Sequence, residues 1–220
     1  MTRVSNRPTR ERLLDAAGRT FADKRFRDAT VREICDRAGA NVAAVNYHFG
    51  DKRTLYKEVL VHALNYAREK YPPEPDRDGL SPEERLHIFV RSFLLRRMDP
   101  ERPGWHRRLL HREMTEPSPG LRDLVHRSIQ ESRNILRGIL FKLLGTRADH
   151  DRVELVLGSV IGQCLYWGGR RALSEKDAGR ALTLKDVERL ARHIAGFTLA
   201  ALGRTGAARS LASTRGDSDG

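Results

Sequence analysis

Between Val42 and Lys52 the sequence reads VAAVNYHFGDK. Val42, Ala43 and Ala44 come first, then Asn46, Tyr47 and His48, then Lys52. These types form neither a nucleophile with its base nor a metal-ligand set. They suit contact with a nucleic-acid duplex. An asparagine amide matches the N6 and N7 edge of adenine, and an alanine methyl packs on the methyl of thymine. Tyrosine, histidine and lysine at the flank suit phosphate oxygens, which position a protein without reading sequence. Small side chains let a helix backbone come close to the groove floor.

Two short helices must hold these groups. Thr30-x-x-Glu33 is a capping-box pattern, and Val31, Ile34 and Ala38 follow it as one buried stripe. Gly39 suits the left-handed conformation of a sharp turn. Asn41 can cap a helix over Val42–Phe49, which Gly50 ends. Val45 and Phe49 are four apart and share the face that packs on the Val31/Ile34 stripe. Val42, Ala43, Ala44, Asn46, Tyr47 and His48 are then turned outward to varying degrees. Two such helices with a glycine turn make a helix-turn-helix over about residues 30–49, whose second helix lies in the major groove. A plain all-α packing motif is the alternative. In it, Tyr47 would be half-buried and His48 would only close the turn of Phe49.

Around this pair the chain reads as further helices, with no convincing strand. Leu13, Leu14, Ala17 and Phe21 recur at helical spacing from Thr9 to about Ala22, and Phe26 plugs the connector after it. A fourth helix runs from Lys52 or Arg53 to about Tyr71. YPPEPDRDGL then breaks the pattern. Ser81-Pro82-Glu83-Glu84 restarts it with a cap, a first-turn proline and acids against the helix dipole. Further helices are expected to Met98, over Trp105–Thr115, from about Pro119 to Leu144, over His150–Leu173 and over Leu184–Leu202. Residues 1–8 read as a flexible arm and 203–220 as a disordered tail.

Composition narrows the function classes. Charged residues make up 32% and the formal net charge is +12, with a pI near 10.4. Such a balance suits a polyanionic partner or a solvated arginine-rich surface. Cys35 and Cys164 lie far apart without a C-x-x-C neighbour, so no disulfide framework or zinc site is expected, and a reducing cytoplasm is the natural setting. His106 and His111 are five apart, which is wrong for one helical face, and no metal or cofactor is expected. No phosphate loop or nucleophile motif points to an enzyme. The N-terminal stretch lacks the apolar core of a secretory leader, and no apolar run is long enough to span a membrane.

The run RERLLDAAGRTFADKRFRDATVREICDRAGANVAAVNYHFGDKRTLYKEVL resembles the DNA-binding domain of the TetR family of bacterial transcriptional regulators. The likeness covers about residues 9–60, with LLDAAGRTFADKRF, TVREICDRAGA and VNYHFGDKRTLY in the order of the family. It implies an all-α chain: an N-terminal three-helix DNA-binding domain over residues 9–55, then a larger helical ligand-binding and dimerisation domain over 56–202. It implies phosphate contacts from Tyr47, His48 and Lys52 and a backbone contact from Thr30. It places Val42, Ala43, Ala44 and Asn46 where bases are faced. Many relatives carry an aromatic residue at the position of Asn46, so base preference is not carried over. HREMTEPSPGLRDLV is similar to a segment of the CecR-like subset, with its E-x-x-x-P-S-P spacing.

In this family the last two helices pair with those of a second copy. The sequence agrees with that. His150–Leu173 is apolar around much of its circumference, through Val153, Val156, Leu157, Val160, Ile161, Cys164 and Leu165, and Gly158 and Gly162 permit close approach. A monomeric core is the alternative. A small-molecule effector, of unknown identity, would sit among the helices from Ser81 to Leu173. Candidate lining residues are Phe89, Phe93, Trp105, Leu109, Met114, Phe141, Tyr166 and Trp167, with Arg96, His111 and Gln163 as polar anchors. The expected function is a ligand-responsive repressor that binds a pseudo-palindromic DNA operator as a homodimer. A ligand-independent regulator or activator with the same helix-turn-helix is the alternative.

Overall fold

The computed structural model describes residues 8–73, 79–99, 101–116, 118, 122–174 and 183–203. Those residues are all-helical, with no strand among them. The helices are α1 (Thr9–Asp23), α2 (Val31–Ala38), α3 (Val42–Phe49), α4 (Lys52–Lys70), α5 (Pro82–Met98), α6 (Gly104–Thr115), α7 (Arg122–Leu144), α8 (His150–Ser174) and α9 (Leu184–Ala201). A 3-10 turn at Gly145–Arg147, which the sequence pattern does not announce, follows α7. Except for Pro8 and Gly203, the expected arm and tail lie outside the described residues.

Contacts divide the chain into two compact units. The first holds residues up to Ala67 together with Glu101–Ser128, and the second holds Arg68–Pro100 and the chain from Ile129. The first unit therefore packs α6 and the start of α7 with α1 to α4. Its core is Leu13, Ala17, Phe21, Ile34, Val45, Leu55, Val59, Leu60, Trp105 and Leu109.

Several helix ends in the first unit have a specific chemical stop. The Thr30 hydroxyl accepts from the Glu33 N–H at 3.2 Å, and the Thr30 N–H donates back to the Glu33 carboxylate at 3.1 Å. Gly39 takes φ +61°, where a side chain would be strained. The Asn41 carbonyl oxygen accepts from the Ala44 N–H at 2.9 Å. Asp51 caps α4 by accepting from the Thr54 N–H at 2.6 Å, and that bond holds its carboxyl below the usual range. α1 has no terminal glycine. Its open carbonyls, Phe21, Ala22 and Lys24, accept from the Arg112 guanidinium of α6 at 2.6 to 2.9 Å.

Gly18 explains how α6 reaches α1. A Cβ there would lie 2.5 Å from the Trp105 ring. With none, the indole lies flat on the helix and donates its N–H to Asp15 at 3.0 Å.

The second unit packs α5, α8, α9 and most of α7 around Leu86, Phe89, Leu94, Leu136, Leu140, Val153, Leu157, Ile194 and Leu199. Ser81 and Glu84 form a reciprocal cap on α5. Arg137 and Arg133 of α7 bracket Glu154 of α8 at 2.7 and 2.8 Å and hold its carboxyl low. Arg91 of α5 reaches Glu188 of α9 at 2.8 Å. Arg133, Arg137, Glu154 and Glu188 are half-buried, so each pair keeps contact with solvent.

Candidate nucleic-acid interface

α3 has two unlike faces. Val45 and Phe49 are buried in the first unit's core. Tyr47 is 85% exposed, Val42, Ala43 and Asn46 are exposed, and Ala44 and His48 are half-buried. Val42 and Asn46 are four apart, as are Ala43 and Tyr47, so the exposed set forms two adjacent rows on one side of the helix. The Tyr47 and His48 rings meet edge-on at 5.0 Å. An exposed tyrosine beside an exposed asparagine, on a helix whose other face is fully engaged, can donate and accept hydrogen bonds along a groove.

Lys52 is the first residue of α4, with its ammonium 4.6 Å over the Phe26 ring. Thr30 is exposed at the start of α2. Its oxygen is already used as the cap of α2. Sequence reasoning does not single out Arg12, because it sits among charged residues on α1. Its guanidinium donates to Thr9 at 3.3 Å. It lines a shallow cleft with Thr9, Cys35, Asp36, Gly39, Ala40, Asn41 and Ala44 around the α2–α3 turn.

The candidate effector residues fall in both compact units. Phe89 is buried in the second unit, with Phe93 and Trp167 packed partly buried against the same core. Arg96 lies 5.7 Å from the Phe93 ring and donates to the Tyr71 carbonyl and the Ser92 hydroxyl. Gln163 is half-buried. Phe141 and Tyr166 are exposed. Trp105 and Leu109 belong to the core of the first unit. His111 lies on the surface of α6, in a cleft beside the end of α1. The Met114 side chain lies outside the described residues.

Both cysteines are buried. Burial pushes the Cys164 thiol up to about 12 against the opposing pull of Arg97 and Arg96. Burial, then Asp36, raises Cys35. Neither is a ready thiolate. Among the described residues no His, Cys, Asp and Glu grouping could hold a metal, and no helix is long and apolar enough to cross a membrane.

Known proteins share this architecture. Residues 13–59 match the bacterial regulatory proteins of the tetR family. Residues 82–202 match the C-terminal domain of the HTH-type transcriptional dual regulator CecR. The HTH-type transcriptional repressor AcnR of Corynebacterium glutamicum is 28% identical over 184 residues, covering 78% of this chain and 91% of that protein. The HTH-type transcriptional repressor KstR2 of Mycolicibacterium smegmatis is 35% identical over 85 residues, covering 38% of this chain and 41% of that protein. A crystal structure from Pseudomonas aeruginosa PAO1, described as a transcriptional regulator, superposes with a TM-score of 0.68 at 21% identity. It covers 93% of this chain and 98% of its own, and that likeness is one of fold. With its helix-turn-helix and its CecR-type second half, the chain belongs to the TetR family of bacterial regulators and is a DNA-binding transcriptional regulator.

Proposed function

We propose that the protein is a repressor that binds a pseudo-palindromic operator as a homodimer and releases it when a small molecule enters the second unit. The observation that carries the DNA half is the split of α3, with Val45 and Phe49 buried while Tyr47 and Asn46 face solvent. On this reading Val42, Ala43, Ala44 and Asn46 face bases, and Thr30, Tyr47, His48 and Lys52 meet phosphates. Repression follows the description of the relatives AcnR and KstR2.

The homodimer reading rests on α8 and α9. Leu155 is 73%, Tyr166 62% and Phe197 59% exposed. On α8, Leu155, Ser159, Gly162 and Tyr166 recur at helical spacing on one face. A Cβ at Gly158 or Gly162 would meet nothing within 4 Å, so the strip is open. Exposed apolar faces of this kind mark association sites, and a two-fold pairing covers the same strip on both copies. Such a dimer presents two α3 helices to half-sites about one helical turn apart.

Selection of bound fragments from genomic DNA tests the reading. Recovery of an inverted repeat supports it, and no enrichment defeats it. Titration of small molecules into the bound complex tests effector control. The second reading, a ligand-independent regulator, draws on the buried apolar cluster of the second unit around Phe89, Leu94, Leu136 and Ile194. A complex that no ligand loosens would support it.

A further inference from the structure

The segment Glu113-Met-Thr-Glu-Pro-Ser-Pro119 has no part in the DNA face described above. Glu113 is buried at the end of α6, and its described partners are Tyr56 and Ser118. Among the described residues its carboxylate is held by neutral donors. One oxygen accepts from the Tyr56 hydroxyl and from the Ser118 hydroxyl, the latter at 2.6 Å. The other accepts from the Ser118 N–H at 3.1 Å. A buried carboxylate is tolerated only when its lone pairs are met in this way. The sequence spacing suits the task. In Pro117-Ser118-Pro119 the prolines have no N–H, so the single peptide donor is the one that Glu113 receives.

Tyr56 joins this cluster to the DNA face. It is fully buried on α4, four residues after Lys52. Its ring meets Phe21 edge-on at 4.6 Å and Phe26 at 5.0 Å. The Phe26 ring also carries the Lys52 ammonium, 4.6 Å from its centroid. Burial, then Glu113, raises the Tyr56 phenol above its ordinary range, so it stays a neutral donor. The first turn of α4 is therefore gripped twice through one side chain. The hydroxyl is held from the α6–α7 turn, and the ring is held against Phe26. Only Gly50 and Asp51 separate that turn from the end of α3.

We propose that Glu113 and Ser118 are positioning residues for DNA binding: through Tyr56 they fix the first turn of α4 and so hold Lys52 against the phosphate backbone. This rests on the reading of Lys52 as a phosphate contact. The Glu-x-x-x-Pro-Ser-Pro spacing is then a requirement of the DNA face, imposed from a turn distant in sequence.

The test uses the full chain and a duplex carrying the inverted repeat recovered by fragment selection. Affinity is measured against salt for Lys52→Met, Tyr56→Phe, Ser118→Ala and the double variant Lys52→Met/Tyr56→Phe. Thermal unfolding identifies a temperature at which all are folded. Loss of the Lys52 contact is expected to weaken binding by about ten-fold and lower the log–log salt slope by about one per half-site. Tyr56→Phe is expected to reproduce both effects, the double variant to be no weaker than either single one, and Ser118→Ala to fall between wild type and Tyr56→Phe. A purely structural Tyr56 would lower the unfolding midpoint, leave the salt slope unchanged and multiply with Lys52→Met. That result, or wild-type affinity in Tyr56→Phe, overturns the proposal. Wild-type binding by Lys52→Met overturns the underlying reading of Lys52 instead.

Discussion

α3 and α8 both expose side chains that a monomer would bury, and they expose different kinds. α3 sets Tyr47 beside Asn46 and a partly open His48, with Lys52 close behind. α8 sets Leu155, two open glycines and Tyr166 along a strip, and no charged residue or histidine occurs from Leu155 to Trp167. Polar tips on a small-residue helix suit a hydrated polyanion. A dry strip with glycine notches suits close approach by another protein helix. The contrast separates the proposed DNA face from the proposed dimer face, and substitutions on one should leave the other's property intact.

The largest expected effect is on DNA. Tyr47→Ala with His48→Ala removes two phosphate contacts from each half of a two-headed complex. Binding at moderate salt should fall by about 100-fold or more. Sedimentation and thermal unfolding should match wild type, because both side chains lie outside the core. A double variant that binds duplex normally would break the assignment of the α3 face.

Leu155→Arg with Tyr166→Arg makes the converse cut. Two buried cations facing their twins should raise the dimer dissociation constant by about 100-fold or more, read as a shift to half the mass in sedimentation. Wild-type mass at low concentration would show that the α8 strip is not the contact.

Glycines sharpen the comparison between the two units. Gly18→Ala forces a methyl into the Trp105 ring and should cost about 1–3 kcal/mol, read as a lower unfolding midpoint. Gly138→Ala on the open face of α7 meets nothing and should gain about 0.5–1 kcal/mol from helix propensity. Equal effects at the two sites would contradict the close seating of α6 on α1.

Acidity should act on the first unit. His106 is buried among Trp105, Tyr66 and His62, with neither ring nitrogen hydrogen-bonded to a described residue. Burial pulls its pKa from 6.5 down to about 3, helped by Arg102 and His62 and opposed by Asp15. The unfolded chain therefore takes up the proton first. The stability tied to the neutral ring is full above pH 6.5 and is lost as pH falls toward 3. The loss should be about 1 kcal/mol near pH 5.5, and His106→Phe should flatten that part of the pH profile of the unfolding midpoint.

Much of the reading head is legible in the residues, because local chemistry decides it. Thr30 and Glu33 cap each other, Gly39 turns, Asn41 caps, and the spacing of Val45 and Phe49 sorts the faces of α3. What periodicity cannot supply is the partner of a buried face. Trp105 and Leu109 read as buried aromatic and aliphatic positions, and the sequence alone groups them with Phe89. In the structure they cover α1, where Gly18 is the one local hint. Glu113 is hidden from pattern reading for a different reason. A carboxylate on an amphipathic helix reads as solvated, and only its spacing to Ser118 shows that donors are waiting for it.

The most direct measurement places a chemical cutter on α3. Ala43→Cys gives one accessible thiol, because Cys35 and Cys164 are buried with raised pKa values. A cleavage reagent tethered there, on the recovered operator, should cut in two clusters on the major-groove side, about one helical turn apart. A single cluster, scattered cuts or an uncut duplex would contradict a two-fold regulator that reads DNA through α3.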